Sequence, residues 1–144
     1  MAKIKLKAIT DGKDKNRFCG PSVISALTDL TTGEAARLIR QQTGKKCVMG
    51  THTSEVLNAL RACNIEATRW SQEGVRLNRT TGPTLTGWLR LSKEDRTPGR
   101  VFLISAGHHW QLVSGRRYTC GRIREIVSIK DKQVKRRARV DGVF

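Results

Sequence analysis

The sequence predicts an α+β fold in which N-terminal helices pack on a C-terminal antiparallel β-sheet. Two observations carry this. From Cys19 to Cys63 apolar residues recur at three- and four-residue spacings, the period of helices with one buried face. From Arg100 onward the pattern changes to short alternating or continuous apolar runs, separated by turn residues, as in strands joined by hairpins. A chain of 144 residues is long enough to bury one core. It divides into a basic N-terminal arm over 1–15 and a single domain over 16–144 that ends in a basic strand or tail.

Each element has a local signature. Lys3-Ile4-Lys5-Leu6-Lys7 alternates, as a short strand or an ordered arm would, and Asp11-Gly12-Lys13-Asp14 is a turn. The first helix is expected from Cys19 to Leu30. Pro21 falls in its first turn, where a missing N–H is harmless, and Val23, Ile24, Leu27 and Leu30 share one face. Thr31-Thr32-Gly33-Glu34 is a capping-box pattern that opens a second helix, which Gly44 ends. A third helix begins near Thr53 and stops around Cys63-Asn64. Ile65 to Trp70 reads as a strand, Ser71 to Gly82 as a polar loop, and Thr84 to Leu91 as a short helix weakened by Gly87. Strands are expected over Arg100–Ser105, His109–Ser114, Tyr118–Cys120, Glu125–Ile129 and Val134–Val140, with a turn at Gly115-Arg116-Arg117. Repeats and low-complexity segments are absent.

Composition narrows the setting. Hydrophobic residues make up 38% and aromatic residues 5%, so the core should be aliphatic and modest. No apolar stretch approaches the ~20 residues of a membrane helix. The basic N-terminus has no apolar signal core behind it. The expected location is therefore the cytoplasm, or a particle assembled there. Four cysteines, Cys19, Cys47, Cys63 and Cys120, form no tight framework, so reduced thiols are expected. C-x-x-C and H-x-x-x-H are missing; Cys47, His52, Cys63 and Cys120 are the one zinc grouping worth weighing, and no metal or cofactor is expected.

The formal net charge is +16. That implies nucleic acid, an anionic surface or an acidic protein as partner, or simply a basic solvated surface. Charge peaks at Lys3 to Lys15 and Lys130 to Arg139, and Lys135, Arg136, Arg137 and Arg139 are the best candidates for phosphate contact. Trp70 and Trp88 are expected to pack in the core or at a groove edge rather than to stack on bases.

Two motifs carry chemistry. Asn16-Arg17-Phe18-Cys19-Gly20-Pro21-Ser22 places a lone thiol at a helix N-terminus, where unpaired N–H groups and the positive dipole end favour the thiolate. Gly107-His108-His109-Trp110 places histidine at the start of a strand on the facing sheet, where it can act as the base that a cysteine nucleophile needs. Alternation sends the two histidines to opposite faces, so only one of them can meet Cys19. The other reading of Cys19 is a small residue packed beneath the first helix.

Phe18-Cys19-Gly20-Pro21-Ser22-Val23 resembles the nucleophile segment of papain-like cysteine peptidases, nearest to the compact group of bacteriocin-processing peptidases and their phage-encoded relatives. His109-Trp110-Gln111-Leu112-Val113-Ser114-Gly115 is similar to that family's histidine strand, and the order of helices before sheet matches. The resemblance covers about residues 16 to 120. It implies a papain-like fold, Cys19 as nucleophile, His109 as general base and His108 at the rim. Where the family has an oxyanion-hole glutamine, this chain has Lys13 to Asn16, of which Asn16 is the candidate donor. Where the family has an Asp or Asn that orients the histidine, Thr119 stands near the place, followed by Cys120.

Three functions follow as expectations: a cysteine peptidase or amidohydrolase acting on a polypeptide; a weak or inactive papain-like structural protein, such as a phage virion component contacting virion proteins; or a basic DNA-binding domain in which Cys19 and His109 only pack.

Overall fold

The computed structural model describes residues 4–13 and 16–144. Four helices precede five strands: α1 (Cys19–Leu27), α2 (Thr32–Thr43), α3 (Thr53–Ala62), α4 (Leu85–Leu91), β1 (Phe102–Ala106), β2 (His109–Ser114), β3 (Arg117–Cys120), β4 (Val127–Ser128) and β5 (Val140–Val143). The strands form one antiparallel sheet in the order β4-β3-β2-β1-β5. The layout is α+β.

Strand alternation gives this sheet two buried faces. Leu103, Trp110 and Leu112 point to one side and pack with Val23, Ile24 and other residues of α1–α3. Phe102, Ile104, Val113, Tyr118 and Cys120 point to the other, under Leu85 and Trp88 of α4 and under Trp70. On that second face Trp88 stands edge-on between Trp70 and Phe102, with ring centroids 5.8 and 5.5 Å apart. Both tryptophans are buried packing residues.

Local chemistry sets the helix limits. Thr31 Oγ1 accepts the Glu34 amide and Glu34 Oε1 accepts the Thr31 amide, each at 3.1 Å, so α2 opens on a complete capping box. Gly44, left-handed at φ 74°, closes it. Helix α1 stops at Leu27, short of the expected Leu30. Thr28 Oγ1 donates to the Ile24 carbonyl at 2.8 Å and accepts the Leu30 amide, which offers the backbone an alternative to another helical turn.

The segment over 65–70 is not a strand; its amides bond only at the ends, Ile65 back to the Leu60 carbonyl at the close of α3 and Trp70 to the Val143 carbonyl. The last strand is Val140–Val143 rather than Val134–Val140, because Val134 and Ala138 close turns onto Asp131 and Lys135. The arm over 4–10 forms no ladder. It lies along α1, held by Lys7 N–H to the Ala26 carbonyl and Ile9 N–H to the Arg124 carbonyl, both at 3.0 Å, with Leu6 buried. Lys3, Asp14 and Lys15 of the expected arm and turn lie outside the described residues. Among the described residues no helix is long and apolar enough to cross a membrane.

Candidate active site

Cys19 is the first residue of α1 and is half-buried. Phe18 before it is extended, and Asn16 shapes the approach: its Oδ1 accepts the Phe18 amide at 3.0 Å and its Nδ2 donates to the Val48 carbonyl at 3.1 Å. The side chain of Asn16 therefore pins the loop ahead of Cys19 instead of presenting an oxyanion donor. Thr51 lies against Gly20, so close that a Cβ there would come within 2.4 Å of Thr51 Oγ1. That hydroxyl is buried and has no hydrogen-bond partner among the described residues.

His109 opens β2 directly opposite Ala106. The two residues between them, Gly107 at φ 60° and His108 at φ 57°, are both left-handed, as a two-residue type I′ turn requires. His108 is thereby exposed in the turn, and His109 is the first residue fixed by the ladder. Gln111 supports it from within the sheet. Its Nε2 donates to the Ala106 carbonyl at 3.0 Å, and the Tyr118 hydroxyl donates to its Oε1.

Cys120 is the residue that motif reading missed. The two-residue turn Gly115-Arg116 pairs Ser114 with Arg117, and hence Gln111 with Cys120. Directly paired residues share a face, so His109, Gln111 and Cys120 lie on one face and Thr119 on the other. Thr119 is fully buried and its hydroxyl donates to the Glu125 carbonyl at 2.9 Å; it does not orient His109. Gly121 lets the chain after Cys120 reach α1, since a Cβ at 121 would lie 2.9 Å from Ser22 Oγ and 3.5 Å from Cys19 Cα. Arg124 closes the joint, donating to the Gly121 carbonyl and pairing with Asp11.

The imidazole thus interacts with two thiols. Burial opposes ionisation of Cys19, but hydrogen bonding to His109 and to the Trp110 amide outweighs it and lowers the thiol's pKa. Burial likewise opposes ionisation of Cys120, yet His109 and the amides of Ile123 and Arg122 bring it down to about 6. Burial would neutralise His109, but Cys120 and Cys19 together raise it to about 9. At neutral pH His109 is therefore an imidazolium and Cys120 its anion, while Cys19 is shifted in the same direction as Cys120. Nε2 of His109 is buried and has no partner of strict hydrogen-bond geometry among the described residues, so neither thiol meets this nitrogen in a well-formed bond. Cys120 is inaccessible, whereas Cys19 is partly open; only Cys19 can meet a substrate.

Other sequence candidates lie elsewhere. Lys135, Arg137 and Arg139 are exposed in the segment between β4 and β5, while Arg136 donates to the Asp131 carbonyl at 3.3 Å and Arg139 to the Gly82 carbonyl at 2.8 Å. All four cysteines are free, and among the described residues no three His, Cys, Asp or Glu side chains are grouped to hold a metal ion. Cys47 is exposed in a loop, Cys63 caps α3 and Cys120 is buried on β3, so the described structure does not bring the weighed zinc grouping together. A cavity of about 1230 Å³ opens among Leu27, Leu60, Val101 and Phe144, and neither Cys19 nor His109 lines it. The chain matches no protein-family model, no curated protein and no solved structure.

Proposed function

We propose that the protein is a papain-like cysteine peptidase or amidohydrolase in which Cys19 is the nucleophile, His109 the acid–base group and Cys120 the anion that holds His109. The observation that carries this reading is the meeting of a helix-start thiol and a strand-start histidine from opposite layers of the fold. The Cys19 thiolate would attack a carbonyl carbon, and His109, already an imidazolium, would give its proton to the departing amine. Water would then cleave the thioester, with the neutral His109 taking the water's proton and Cys19 leaving as thiolate. The backbone amides around Cys19 are the available donors for the oxyanion.

Cys120 bears on the weak point of the sequence pattern. An orienting carboxylate is missing, but a buried thiol with a pKa near 6 supplies negative charge in its stead. The same substitution favours the second reading, an inactive scaffold or virion component, because one imidazolium is shared between two thiols. A peptide carrying a thiol-reactive group separates the two. Labelling at Cys19 that disappears in Cys19→Ala supports the peptidase; equal labelling of the variant contradicts it.

A further inference from the structure

Two features flank Cys19 and His109 that the reaction itself does not use. The first is apolar. Asn16 is bonded to Val48 and Gly20 is covered by Thr51, so the segments 16–20 and 48–51 run side by side in the same sense. Phe18 and Met49 lie within these adjacent segments, Phe18 directly before Cys19 and Met49 directly after Val48. Both are open to solvent, Phe18 at 46% and Met49 at 61%, and with Leu91 they are the only exposed large hydrophobic residues among those described. Two exposed apolar side chains on adjacent segments, one of them next in sequence to the thiol, give this side of the site its apolar character.

The second feature is cationic. A Cβ on Gly107 would lie 3.1 Å from Ala138 Cβ, so the tip of the His109 hairpin rests on the basic segment between β4 and β5. Lys135 and Arg137 in that segment are exposed and make no side-chain hydrogen bond or ion pair among the described residues. The cysteine site therefore has an apolar flank on the side of α1 and a positive flank on the side of β2.

We infer that the substrate is a polypeptide with a bulky apolar side chain seated on Phe18 and Met49 and an acidic side chain facing Lys135 and Arg137, on opposite sides of the bond that Cys19 attacks. This rests on the peptidase reading and adds its substrate class. An apolar contact of this size is worth about tenfold or more in rate discrimination. The charged contact is exposed, so its contribution should shrink as salt rises.

Four peptides with one common thiol-reactive group test it: apolar or small at one position, acidic or basic at the other. Cys19 labelling is followed by mass spectrometry of the intact full chain. The apolar–acidic peptide is expected to react fastest, by about tenfold over the small–acidic one. Phe18→Ser with Met49→Ser should abolish the apolar preference, and Lys135→Glu with Arg137→Glu should reverse the charge preference. Both pairs are exposed, and unchanged thermal unfolding verifies that the variants fold. Equal rates for all four peptides in the wild type, or preferences that survive these substitutions, overturn the inference while leaving the peptidase standing. Failure of every peptide at a Cys19 that still reacts with iodoacetamide overturns both.

Discussion

The two faces of the sheet are built differently and contribute different halves of the site. The face under α1–α3 is aliphatic, with Val23, Ile24, Ile39, Val56 and Leu60 at its centre, and it supplies Cys19 from the end of a helix. The other face is aromatic, with Trp70, Trp88, Phe102 and Tyr118, and His109 and Cys120 are placed by strands that belong to it. The site exists only where these layers meet, at the joint made by Gly121, Ser22 and Arg124. A thiol and an imidazole supplied by separate layers can be altered one at a time, and that is the basis for breaking the arrangement experimentally.

The largest effect is expected from the helical side. Cys19→Ala removes the proposed nucleophile and should abolish peptide-probe labelling altogether. On the sheet side, His109→Ala should slow labelling by about 10²- to 10⁴-fold, the range of a lost acid–base group, without lowering the unfolding midpoint comparably. Trp88→Ala acts on the aromatic core instead. It should cost about 3–5 kcal/mol in denaturant unfolding, with activity falling only as the folded fraction falls. Gly121→Ala strikes the joint: Cβ crowding against Ser22 and Cys19 should cost about 1–3 kcal/mol and slow Cys19 labelling more than stability alone explains.

The smallest effect, and the most informative, concerns pH. Cys120 is ionised above about 6 and His109 is protonated below about 9. Peptide hydrolysis should therefore rise as pH climbs through 6, when the imidazolium gains its anion, and fall beyond 9, when the proton for the leaving amine is lost. Cys120→Ser should remove the lower limb's dependence on this thiol and reduce the rate by about tenfold, the equivalent of roughly one pKa unit on His109. A pH profile unchanged by Cys120→Ser would break the comparison on the sheet side.

Much of this was visible in the sequence where a feature depends on neighbours. The capping box at Thr31 to Glu34, the stop at Gly44 and the helix-start thiol are local patterns, and the structure carries all of them. Features that depend on pairing were harder to read. Thr119 looked like the residue beside His109 because it stands nearest the family's position in the chain. The signal that identifies Cys120 instead is the turn at Gly115-Arg116, which sets the register and so the face on which each residue falls. The failed strand over Ile65 to Trp70 has the same origin: alternation shows that a segment can be extended, not that a partner lies beside it. Asn16 illustrates a third limit. Its amide was available as a donor in sequence, but Val48, far along the chain, had already engaged it.

Direct observation of the His109 ring tests whether the two thiols and the imidazole form one coupled site. Titration of His109 by NMR should give an apparent pKa near 9, falling toward the ordinary 6.5 in the Cys19→Ser, Cys120→Ser double variant. An imidazole that titrates near 6.5 in the wild type and does not respond to removal of either thiol would contradict it.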